Sequence, residues 1–353
     1  MRHDGSMIDW DVARRVARMT AGDVPSPVKL PGDLSAIAAD AQRRVTEYSE
    51  ISPAQALPEP ESVDREEWVA LNLASMAPLL EPVTERVGSG LGPLAGPVRA
   101  GMGMVMAAQV GALTGYLSQR VLGQYEAALL NPQAPRRLIF VVPNLHHAAR
   151  QLDADPETLL KWVAFHETTH AVQFAGVPWL REHISGLVNE LVASIDVKFD
   201  TAELLRLPSS DDLRAMVAAL RKGDVITLLA GPERRELLDR MQATMAVVEG
   251  HAEHVMDAVG ADVLPALERL RSALERRRRT RPPLMRVLDR LLGMDMKMRQ
   301  YDIGKRFCDR VVAADGIAGL NRLWDGPDAL PTLAELEDPP AWRARMRVAP
   351  AAA

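Results

Sequence analysis

The chain is nearly devoid of cysteine. Cys308 is the only one among 353 residues. This rules out an intramolecular disulfide and fits a reducing cytoplasm, with Cys308 read as a small buried hydrophobe. An excess of positive charge is also missing: the formal charge of −5 argues against generic nucleic-acid binding. There is no glycine-rich phosphate loop and no internal repeat. Met1-Arg2-His3-Asp4 does not open a basic region followed by an apolar run, so no signal peptide is expected. One long stretch carries no charge, Ala100 to Ser118, bracketed by Arg99 and Arg120. It is near the lower length limit for a membrane span. Its Gly111 and Gly115 let helices approach closely, and it reads as a tightly packed helix of a soluble core with no membrane span.

What remains is an ordinary globular composition, 47% apolar and 25% charged, in a chain long enough to bury a sizeable core. Helical patterning dominates. It covers Ile8 to Met19, Leu34 to Ser49, Ser62 to about Leu80, Trp179 to Lys198, Asp211 to Lys222, Pro232 to Val259, Val263 to Arg278 and Leu284 to Ala314. Ile51 to Pro60 is proline-rich and extended. Arg136-Arg137-Leu138-Ile139-Phe140-Val141-Val142-Pro143-Asn144 is the clearest strand. It reads either as a core strand or as an edge strand able to pair with an extended peptide. Arg276 to Arg279 is a solvated charge run, and from about Asp325 the Pro/Ala-rich chain reads as a loose tail. The fold class is therefore mainly α with a small β element.

The chemistry concentrates in Trp162-Val163-Ala164-Phe165-His166-Glu167-Thr168-Thr169-His170, which holds His-Glu-x-x-His within a helix-period run. Histidines four apart lie on one helix face, so both rings can reach one metal ion. Zinc suits imidazole nitrogen, and a catalytic zinc keeps an open position for water. Glu167 projects roughly 100° around the helix, beside the metal, where a general base belongs. Asp155-Pro156-Glu157 starts the helix and Gly176 and Pro178 stop it. Leu159, Val163, His166 and His170 make one stripe, which predicts largely buried histidines.

A third ligand must come from elsewhere, and two carboxylates compete. Glu249 lies in Val248-Glu249-Gly250-His251-Ala252-Glu253-His254, on a face with Met245, Ala252 and Met256. Glu253, one turn on, could accept a hydrogen bond from a ligand histidine. The alternative is Glu190 in Asn189-Glu190, on the helix after the motif. Tyr301, Arg299 and His254 are chemically able to stabilise an oxyanion.

The motif with a downstream Glu-Gly-x-Ala-Glu resembles the gluzincin side of the zincin metallopeptidases. The set Ile8-Asp9-Trp10, Val121-Leu122-Gly123-Gln124-Tyr125, Val177-Pro178-Trp179-Leu180-Arg181, Glu249-Gly250 and Lys297-Met298-Arg299-Gln300-Tyr301 resembles the actinobacterial zincin-like metallopeptidase type 2 family, some of whose members are associated with deazaflavin cofactor biosynthesis. The resemblance implies a zincin-like core over residues 136–324, an N-terminal helical region, 1–135, packed on it, and a tail, 325–353. It also implies Zn²⁺ as cofactor and a cytoplasmic hydrolase acting on a peptide or small amide substrate. A catalytically silent zinc-binding scaffold or an accessory protein is the alternative.

Overall fold

The computed structural model describes residues 7–22, 30–89, 95–126, 135–194, 232–261, 263 and 294–348. The expected helices Asp211 to Lys222 and Val263 to Arg278, the Arg276 to Arg279 run and the start of the helix expected from Leu284 lie outside them.

A three-stranded sheet sits between two helical layers. Strand β3 (Arg137–Val141) is central; β1 (Pro60–Val63) pairs with it in parallel and β2 (Gly123–Glu126) antiparallel. Successive side chains of a strand point to opposite faces, and β3 follows this rule. Leu138 and Phe140 pack with one layer, made from α2 (Leu34–Ser49), α5 (Val142–Leu152) and α6 (Pro156–Gly176). Ile139 and Val141 pack with the other, made from α1 (Trp10–Thr20), α3 (Arg65–Ser89) and α4 (Ala95–Ser118). All four are at most 1% exposed, and burial on both faces explains the unbroken apolar run. The edge position considered for this strand is thus taken by β2, a four-residue strand too short to announce itself. The sequence Val142-Pro143-Asn144, which reads as a strand end, instead begins α5, with Pro143 in its first turn.

Within α4, the segment Ala100–Ser118 is long and apolar enough, by length and composition, to cross a membrane. Its Gly103, Gly111 and Gly115 face α1 so closely that a Cβ at any of them would collide with Met7, Ala13 or Ala17 backbone oxygens. This is the close helix approach that the small residues allow.

After α7 (Pro178–Ala193), α8 (Pro232–Gly260) crosses α9 (Met294–Asn321). At the crossing Gly250 meets Gly304, and a Cβ on either would overlap the partner backbone. The residues after Asp325 are not a loose tail. Pro327–Ala329 forms a 3₁₀ turn, α10 (Leu333–Glu337) starts with a Thr332/Glu335 capping box, and α11 (Pro339–Val348) follows. Trp342 plugs this segment into the core: it is 1% exposed, meets Phe307 edge-on, and donates Nε1–H to Ala329 O at 2.7 Å.

Candidate active site

Helix α6 forms where its caps predict. Asp155 accepts from Thr158 N at 2.8 Å, Pro156 occupies N1, and Leu159, Leu160, Val163, Ala164 and Phe165 bury its inner face. This fixes His166 and His170 one turn apart, their rings edge-on with centroids 4.8 Å apart. Packing of Val255, Met256 and Val259 of α8 against Phe165 and Val172 of α6 brings in Glu249, whose Oε2 lies 3.5 Å from His170 Nε2 and 3.9 Å from His166 Nε2. One ligand atom from each of the three residues lies within 4.8 Å of the others. Donors about 2.0–2.2 Å from a tetrahedral zinc stand roughly 3.4 Å apart, so the donor set and its spacing fit the ion.

The pocket is negative. Burial disfavours a charged His170, but Glu249, with Glu167 and Gln173 adding, outweighs it, and the pKa is raised to about 9. A site that attracts a proton this strongly also attracts a metal cation.

Glu167 is held from the β2 side. The outer edge of β2, away from β3, faces α6, and Tyr125 N–H donates to Glu167 Oε2 at 2.8 Å. Gly123 on the same edge has no room for a side chain: a Cβ would lie 2.6 Å from Val163 Cγ1 and 2.8 Å from Glu167 Cγ. Gly123→Ala is therefore expected to push β2 and Glu167 apart. Displacement of a reacting group by about 1 Å can cost ~100-fold, so turnover should fall by about 10- to 100-fold while zinc content stays unchanged. Parallel kinetics and elemental analysis would check both halves.

The other predicted residues are placed as follows. Glu190 and its neighbour Asn189 are exposed on α7 and do not join the two histidines. Glu253 is not the acceptor on a ligand histidine: His170 Nδ1 bonds Gln173 Oε1 at 3.0 Å, and His166 Nδ1 is buried with no hydrogen-bond partner among the described residues. Gln173, three positions on from His170 along the same helix, takes the place at that ring expected of Glu253. His254 has both ring nitrogens engaged, Nε2 with Tyr48 OH at 2.9 Å and Nδ1 with Asp309 Oδ1 at 2.7 Å. It ties α2, α8 and α9 together and is not free to serve an oxyanion. Tyr301 and Arg299 belong to α9, but their side chains lie outside the described residues.

Sequence reasoning missed Gln173 and its bond to His251, a residue weighed there only as a further candidate for the third ligand. Gln173 Nε2 donates to Val248 O at 3.0 Å and lies 2.8 Å from His251 Nδ1. Both side chains are 0% exposed. The available signal was a glutamine three residues beyond the second motif histidine, on an apolar face where a bare amide needs partners. Burial, with His254 and His170 adding, depresses the His251 pKa to about 3. The unfolded chain takes up this proton below pH 6.5, whereas the folded chain resists it until about pH 3. The stability His251 contributes is therefore complete above pH 6.5 and lost as pH falls from 6.5 toward 3. In chelator-treated protein, His251→Asn should show a shallower acid-unfolding curve over that range by circular dichroism. An unchanged curve would contradict the buried neutral ring.

A family model for zincin-like metallopeptidases matches residues 8–342. The chain belongs to that family. Its chemistry is that of zinc-dependent hydrolases. Among solved structures, a Chloroflexus aurantiacus protein provisionally described as a hydrolase with a novel fold is similar, with 29% identity, a TM-score of 0.72, and coverage of 97% of this chain and 100% of that one. A comparison with curated proteins gives no match. The zincin-like family supplies the expected metal, usually zinc, for the His166, His170 and Glu249 cluster that the fold assembles.

Proposed function

We propose that this zincin-like protein is a cytoplasmic metallopeptidase that hydrolyses peptide or small amide bonds. The observation that carries the proposal is the convergence of His166, His170 and Glu249 beside a Glu167 carboxylate already fixed by Tyr125 N–H. In this reading the three residues hold zinc, which when bound acidifies a water and polarises a substrate carbonyl. Glu167 takes the proton of the attacking water on the oxygen not held by Tyr125 and returns it to the leaving amine. The pairing role first considered for β3 is withdrawn: β3 is central, and the outer edge of β2 is taken up by Glu167 and Val163 of α6. Cys308, fully buried with its thiol pKa pushed up by burial, takes no part.

The test is zinc per chain in protein purified without metal affinity, for wild type and His166→Ala, followed by peptide-library cleavage. About one zinc per chain, lost in the variant, together with cleavage of some peptide supports the proposal. Zinc without cleavage of any peptide or amide turns the reading to a silent zinc-binding scaffold, and no zinc at all overturns it.

A further inference from the structure

We propose that Gln173 and His251 form a buried positioning relay that fixes which ring nitrogen His170 offers to the metal. The inference rests on the zinc-site reading above and extends it beyond the three ligands. An amide side chain has one accepting and one donating end. Val248 O can only accept, so the end of Gln173 that faces it, 3.0 Å away, must be the NH₂ group. That orientation leaves Oε1 facing His170 Nδ1 at 3.0 Å. An accepting oxygen there keeps a proton on His170 Nδ1, so the proton that His170 gives up to a metal is the one on Nε2, beside Glu249 Oε2.

The second NH₂ hydrogen meets His251 Nδ1 at 2.8 Å, so this nitrogen accepts and the proton of the neutral ring sits on Nε2. His251 Nε2 has no conventional partner among the described residues; the ring instead stands edge-on to Trp324, with centroids 5.2 Å apart at 80°. The neutral, Nε2-protonated His251 thus locks the amide from one side and Val248 O from the other. Neither Gln173 nor His251 touches the metal position; both act through His170. The relay extends the motif to His166-Glu167-Thr168-Thr169-His170-Ala171-Val172-Gln173 and explains why a buried histidine follows Glu249 two residues on.

The experiment compares zinc affinity, by chelator competition at pH 8, in wild type, Gln173→Leu and Gln173→Glu, and ring tautomers by long-range ¹⁵N–¹H correlation in the same full-length proteins. Loss of a hydrogen-bond partner behind a metal ligand costs about 10- to 100-fold in metal affinity, and this is the loss expected for Gln173→Leu. Gln173→Glu keeps an acceptor for His170 Nδ1–H and should bind zinc within a few-fold of wild type. It cannot donate to His251, whose ring should move its proton to Nδ1 or become doubly protonated, whereas wild-type His251 shows the Nε2–H form. Wild-type affinity in Gln173→Leu, or an Nδ1–H tautomer for His251 in the wild type, overturns the relay. The His251 tautomer is read with or without metal, so a wild type that binds no zinc defeats the zinc-site reading while the tautomer still decides the relay. Should Gln173→Leu fail to fold, Gln173→Glu and the wild-type spectrum carry the test alone.

Discussion

Replacing Glu167 with glutamine is expected to lower the turnover of any cleaved peptide by about 100- to 10,000-fold, the range that a positioned general base contributes. Zinc content should not change, because Glu167 is not among the three residues whose ligand atoms converge. Glutamine has nearly the shape of glutamate, and its carbonyl oxygen can still accept from Tyr125 N–H, so β2 stays in place. What is lost is the oxygen able to carry a proton. The reading is sharpest in kcat with KM nearly constant, since substrate contacts are retained. A variant turning over at the wild-type rate would remove Glu167 from the chemistry. Equal loss of zinc and activity would mean that it acts as a ligand or a support.

Trp342→Ala is the substitution expected to cost the most stability. The side chain is fully buried against Phe307, its indole N–H is satisfied by Ala329 O, and the same cluster contains Val311, Leu320 and Leu336. Removing a buried tryptophan typically costs about 3–5 kcal/mol, and Ala329 O also loses its donor. The cluster is shared with Ala243, Ala246 and Val247 of α8, the helix that carries Glu249. Zinc affinity should therefore weaken along with the urea midpoint, although Trp342 lies in a segment that the sequence alone leaves unstructured. A stability loss below about 1 kcal/mol from the urea curve would mean that α10 and α11 are only loosely attached.

That segment marks where the sequence becomes illegible. Pro327, Pro331, Pro339 and Pro340 suggest an unstructured end, yet prolines at helix starts and in short turns are compatible with packing. The deciding fact is where Trp342 goes, which no local rule supplies. By contrast, α2 and the metal helix are locally determined, by Asp33 and Asp155 caps, Pro156 and apolar periodicity, and both emerge at their expected bounds. The strand core was legible as a strand, but its place in the sheet was not, because the four residues of β1 and of β2 carry too little pattern to be recognised. At the site, the His-Glu-x-x-His spacing specifies two rings. The preference for Glu249 over Glu190 rests on whether α8 reaches α6, which is a property of the packing of Val255, Met256 and Val259 on Phe165 and Val172 rather than of either carboxylate. Gln173 and His251 were hidden for the same reason: each looks like an isolated polar residue until the two helices meet.

The bonds that close this site join distant parts of the chain. Gln173 reaches 78 positions to His251, Tyr48 reaches 206 to His254, and Asn321 donates back across 272 positions to Ser49. Contacts of such long range form late, after loop closure has been paid for. A nascent chain that has left the ribosome only as far as α7 already displays His166, Glu167 and His170, but holds neither Glu249 nor Asn321, the donor to Ser49 O. The three-residue cluster is thus complete only once α8 has been made and packed on α6. If the cluster holds the proposed zinc, metal retention would report whether an individual molecule has brought α6 and α8 together.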